Sequence, residues 1–202
     1  MRTIMFAACI LVLTVCSPSL DSRGKKPTKN TNPLSADEIA IYRAVLRQYV
    51  SHEPGWLNVS ATTYPLDSSS PMNRLLDEQC IQGIKLEKLD EVASSFHDLT
   101  ADVLPGENMR LVDPSKQGKV VRDNDPDKTM RKGKSVDSAV KGAFAAALFS
   151  ISEIAFDEGH HHAVVSYGFW CGSLCGNGAT LVFEKVGGEW KRTDRHCGGW
   201  IS

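Results

Sequence analysis

Cys171, Cys175, His196 and Cys197 bring together the side chain types that hold zinc, and Cys80 supplies one more sulfur upstream. Cys171 and Cys175 enclose three residues, a looser spacing than the usual C-x-x-C knuckle. Thiol–disulfide exchange would call for C-x-x-C in a βαβ setting, and neither is present. In an oxidising compartment four cysteines read as two disulfides, with three pairings open. The compartment therefore decides the chemistry of this corner.

Strand register narrows the pairings. Gly187-Gly188 has the form of a two-residue hairpin turn, which sets Val186 against Glu189, Val182 against Thr193 and Gly178 against Cys197. A second hairpin around Gly172–Gly178 puts Cys171 near Gly178, so three cysteines gather at one end of a sheet. Cys171 and Cys197 would then lie two strands apart, roughly 10 Å. A disulfide rarely spans more than about 7 Å between Cα atoms. Cys171–Cys175 is the easiest pair and leaves Cys80–Cys197, while Cys175–Cys197 with Cys80–Cys171 stays open as the alternative.

The second cluster is His160-His161-His162. At the start of a strand His160 and His162 share a face, and with Asp157 or Glu158 they could ligate a metal and run a metal-dependent hydrolase. The plainer reading is a polar hairpin turn, Asp157-Glu158-Gly159-His160. Glu153 and Asp157 also share a strand face, a pairing suited to acid–base work but expected on a solvated surface. No nucleophile elbow, zincin, P-loop or dinucleotide motif occurs, so neither a catalytic residue nor a cofactor is assigned. The four tryptophans read as packing groups. Asn58-Val59-Ser60 matches a glycosylation sequon, relevant only in a eukaryotic secretory route.

The address comes from the N-terminus. Arg2 precedes the apolar run Thr3–Val15, which as a helix covers roughly 20 Å against the roughly 30 Å of a bilayer core. Residues 1–16 thus read as a signal peptide. Leu13-Thr14-Val15-Cys16 has the outline of a bacterial lipobox with Cys16 as the lipidated residue, although Val15 stands where a small residue is usual. Ser17–Ser19 is the ordinary cleavage alternative. Residues 17–34 are polar and basic, a flexible tether in keeping with an anchored domain.

The mature chain keeps a net charge near −2 and has no basic stripe, which argues against nucleic acid; Arg131–Lys134 reads as a short solvated cluster. Membrane contact is expected only through the lipid anchor, and no protein or small-molecule partner is specified.

The elements that must position these groups fill a single domain, 35–202. Ser35-Ala36-Asp37-Glu38 is a capping box before Ile39, Tyr42, Val45, Leu46 and Tyr49 at helical spacing. Trp56–Tyr64 reads as a strand, Pro71–Gly83 as a short helix and Lys88–Leu99 as a helix. Met109–Val112 reads as a strand, Pro114–Lys134 as a long surface loop and Val136–Phe149 as a helix. Ser150–Phe156, Ala163–Cys171, Ala179–Val186 and Glu189–Cys197 complete the set as strands. The expectation is an α+β fold, N-terminal helices followed by a C-terminal antiparallel β-meander.

The end of the chain carries a further pattern. Cys171-Gly-Ser-Leu-Cys-Gly-Asn-Gly178, the apolar strand Leu181–Lys185, Gly188, Trp190-Lys191 and Trp200-Ile201-Ser202 together resemble the tail of uncharacterised secreted, lipoprotein-like bacterial proteins. The resemblance covers 171–202. It implies no activity; the leader sets the expected location, the periplasm or a lipid-anchored place in the bacterial cell envelope, with secretion as the alternative. The functional expectation is an exported, non-catalytic binding or structural module, with the metal-dependent hydrolase or a secreted inhibitor-like domain as alternatives.

Overall fold

A computed structural model describes residues 26–49, 56–66, 80–195 and 197–202. The leader, Cys16, most of the Pro71–Gly83 segment and His196 lie outside the described residues.

The first helix, α1 (Ala36–Tyr49), starts at its capping box: Ser35 N donates to Glu38 Oε2 at 2.7 Å and Glu38 N to Ser35 Oγ at 3.2 Å. Ile41, Tyr42, Val45 and Leu46 form its buried stripe. Residues 26–34 are not simply a tether. Thr28–Lys29 (β1) pair in parallel with Ser95–Phe96 (β3), fixed by Thr28 N to Ser94 O and Asn30 N to Phe96 O, both 2.8 Å.

The main sheet contains β2 (Leu57–Ser60), β4 (Met109–Val112), β5 (Leu148–Phe156), β6 (His162–Gly172), β7 (Cys175–Val186), β8 (Glu189–Arg192) and β9 (Gly199–Ile201). Its order is β4-β2-β5-β6-β7-β8, with β9 also on β7. The β4–β2 and β2–β5 pairs are parallel and every later pair is antiparallel. The fold is therefore mixed α and β on a mostly antiparallel sheet. Helices do not simply come first: β2 and β4 extend the sheet from the N-terminal half, with helices between the strands.

Two expectations fail for local reasons. Lys88–Leu99 is helical only over α2 (Leu89–Val92), because Ser95-Phe96 finds a strand partner in β1. Pro114–Lys134 is no loop but two helices, α3 (Pro114–Asp123) and α4 (Pro126–Arg131). Each opens with Asp-Pro. Asp113 caps α3 through Lys116 N and Asp125 caps α4 through Asp127 N and Lys128 N, while proline presets the first turn. The last helix, α5 (Val136–Ala146), is capped by Ser135.

Both faces of the sheet are covered, so β5 is buried along nearly its whole length. On one face α1 packs over Phe149, Ile151, Val165, Leu181 and Phe183. On the other, Leu66, Cys80, Ile84, Ala155, Val164, Val182 and Cys197 form a smaller core.

Candidate functional site

The cystine corner is a closed turn. Gly172 pairs with Cys175, so only Ser173 and Leu174 form the hairpin tip and β7 begins at Cys175, four residues before the expected start. Cys171 and Cys175 are disulfide-bonded across it, with Cα atoms 5.0 Å apart. The tip is also clamped from outside. Asp125 Oδ2 accepts from Ser173 N at 2.6 Å while its Oδ1 caps α4. A Cβ at Gly172 would come within 2.8 Å of the Pro126 ring, so glycine permits the docking. The Ser173 amide and the α4 amides outweigh partial burial and hold the Asp125 carboxyl below its ordinary range.

The glycines beyond the tip have a packing role. Gly168, Gly178 and Trp200 stand side by side across β6, β7 and β9, and the indole lies over Gly176 and Gly178. A Cβ at Gly176 would sit 3.0 Å from the ring, and one at Gly178 would overlap Trp200 Nε1. The C-terminus is tied down by Ser202 N to Gly176 O at 3.0 Å and Gly176 N to Ser202 O at 3.3 Å. A shallow cleft of about 570 Å³ opens here, lined by Tyr167, Asn177, Gly178, Gly199, Trp200 and Ile201.

Cys197 is not part of that corner. The Gly187-Gly188 turn sets Val186 against Glu189 as expected, and Thr193 N still donates to Val182 O at 2.9 Å. The chain then leaves the ladder and returns at Gly199, so Trp200, not Cys197, opposes Gly178. The excursion carries Cys197 to the second core, where it is disulfide-bonded to Cys80 with Cα atoms 4.7 Å apart.

The histidine cluster lies at the other end of β6, where His162 is roughly 30 Å from Cys171 at about 3.3 Å per residue. Asp157 organises the β5–β6 turn. Its Oδ1 accepts from His161 N at 2.7 Å and His162 N at 2.9 Å, and its Oδ2 lies 2.9 Å from His162 Nδ1. Burial pushes this carboxyl up, but the His162 and His161 donors outweigh it and leave it below the ordinary range. His160 takes a positive φ of 51° and stacks on Phe156, centroids 4.6 Å apart. Thus Asp157 and His162 are committed to the turn while His160 stacks on an aromatic ring. Among the described residues, no three His, Cys, Asp or Glu side chains form a metal-holding group.

Glu153 is the largest departure from expectation. It is buried, because β5 bulges: Ile151 opposes Tyr167 and Ile154 opposes Val165, so Ser152 and Glu153 together face Ser166. Glu153 Oε1 accepts from His97 N at 2.9 Å and from Thr63 Oγ1, and Oε2 lies 2.8 Å from His97 Nδ1. Tyr42 donates to Ser152 O at 3.2 Å, and its phenol is pushed well up first by burial and then by the charge of Glu153. The group has triad chemistry without triad order. Thr63 Oγ1 donates to the carboxylate and accepts from His97 N at 2.7 Å, whereas an activated hydroxyl must give its proton to the imidazole.

His97 had no sequence signal of its own, but the bulge did. Phe149, Ile151, Ile154 and Phe156 are spaced two, three and two, a break in strand alternation at 152–153. The Asn58 sequon is likewise internal: Asn58 is buried, and its Nδ2 donates to Ala145 O at 3.1 Å and Ala147 O at 2.9 Å. Compared with protein-family models, curated proteins and solved structures, the chain matches none.

Proposed function

We propose that the chain is an exported protein of the bacterial cell envelope, acting as a non-catalytic binding or structural module. In this reading residues 1–16 direct export and Cys16 carries the lipid, with secretion as the alternative fate. Two cystines support an oxidising compartment. The observation that carries the non-catalytic part is the use made of the reactive groups. Glu153, His97 and Thr63 bond one another around the bulge, and Asp157 with His162 closes a turn.

The decisive experiment expresses the full chain with its own leader in a bacterial host. Intact mass of the envelope fraction should show loss of 1–15 and a diacylglyceryl group on Cys16, the new N-terminal residue. Non-reducing peptide mapping should return Cys80–Cys197 and Cys171–Cys175. Elemental analysis should find no stoichiometric metal, and metal that is lost on His160→Ala would replace this reading with the metal-dependent hydrolase. Retention of the chain in the cytoplasm with four free thiols would overturn the export reading.

A further inference from the structure

Helices α3 and α4 and the turn after them concentrate positive charge. Between Pro114 and Lys134 seven lysines and arginines stand against three aspartates, a net of +4 in a chain of formal charge −1. All seven are exposed. Lys128 pairs with Asp123 and Arg131 with Asp127, and the Arg122 guanidinium lies 6.0 Å from the Trp170 ring centroid. Among the described residues Lys116, Lys119, Lys132 and Lys134 have no ion pair.

The same helical layer exposes apolar side chains. Val120 on α3, Met130 on α4 and Val136, Val140 and Phe144 on α5 are five of the nine large hydrophobic residues exposed among those described. A sixth, Leu174, is 83% exposed on the hairpin tip that docks on Asp125 between α3 and α4. Val136, Val140 and Phe144 recur every four residues as one stripe, while Ala139, Ala143 and Ala146 face inward. A rigid cystine-closed tip presenting an exposed leucine beside a basic surface needs a partner with both properties.

We propose that the α3–α5 layer and the Cys171–Cys175 tip form a peripheral docking surface for an anionic lipid bilayer. Lysines and arginines meet the phosphate headgroups, while Leu174 and the α5 stripe enter the boundary between headgroups and acyl chains. Charge decides among the occupants. A second copy of this chain would set +4 against +4, and a soluble polyanion would leave the apolar side chains without a role. The proposal deepens the envelope reading by naming a partner, and it concerns a surface separate from Cys16.

The test uses the chain from Ser17 onward, without the leader and the lipidated Cys16, oxidised to both cystines. It is sedimented with vesicles of phosphatidylcholine alone or of phosphatidylcholine and phosphatidylglycerol in equal amounts. Binding is expected to the anionic vesicles only, and it should weaken steeply between about 0.1 M and about 0.5 M salt. Lys132→Gln with Lys134→Gln should lower the partition coefficient about thirtyfold. Val136→Ser with Leu174→Ser should lower it while leaving the salt dependence intact, and an unchanged melting temperature identifies folded variants. The proposal is overturned by no binding to anionic vesicles. It is equally overturned if heparin binds as tightly and the serine variant binds vesicles like the parent. Because vesicle binding is measured on purified protein and export in cells, the two readings fail separately.

Discussion

The two cystines do different physical work. Cys80–Cys197 closes a span of 117 residues and sits in the second core beside Leu66, Val164 and Val182. Cys171–Cys175 closes four residues at a hairpin tip whose hydrogen bonds, docking on Asp125 and glycine floor under Trp200 already hold it. A cross-link stabilises chiefly by restricting the unfolded chain, and that effect grows with the loop it closes. One bond therefore sets global stability, while the other sharpens a surface feature. The fold needs the first to fasten the edge excursion after Thr193; the second holds Leu174 in place.

Removing the long-range bond should give the largest effect. Cys80→Ser with Cys197→Ser is expected to cost about 5 kcal/mol by the loop-closure argument, read as a lower denaturant midpoint. An effect no larger than that of the hairpin bond would erase the contrast. Cys171→Ser with Cys175→Ser should cost about 2 kcal/mol and leave the rest of the protein's amide protection unchanged, with faster exchange confined to the tip.

The smallest effect falls on the clamp. Asp125 has a folded pKa below its unfolded value, so its contribution is present above the ordinary aspartate range and is lost as pH falls through the lowered value, below about pH 4. Melting curves of the parent and Asp125→Asn should differ at neutral pH and converge in acid. A difference that persists unchanged to the lowest pH would remove the carboxylate from the clamp.

Much of the scaffold was legible because its signals are local. The Ser35–Glu38 box, the Gly187-Gly188 turn and the alternating strands report on hydrogen bonds and side chain direction within a few residues. The two Asp-Pro helix starts were equally local, but high charge density in 114–134 masked them. Register counted from a turn holds only while the ladder is unbroken, and past Thr193 the chain leaves it to bring Cys197 to Cys80. At the histidine cluster the residue types were visible, but only the turn geometry put Asp157 on the His161 and His162 amides.

By itself the sequence determined the elements with short-range causes: α1 with its cap, the antiparallel pairing through Gly187-Gly188 and a cysteine count suited to two bridges. Tertiary structure alone decided what became of Glu153, which looks like a surface carboxylate in its own strand. Its partners His97 and Thr63 lie 56 and 90 residues away in sequence, and they supply the hydrogen bonds that its carboxylate accepts once the bulge turns it inward. The basic and apolar surface of α3–α5 has the same origin. Periodicity tells which side chains share a face, but only packing against the sheet determines which of those faces remain in contact with solvent.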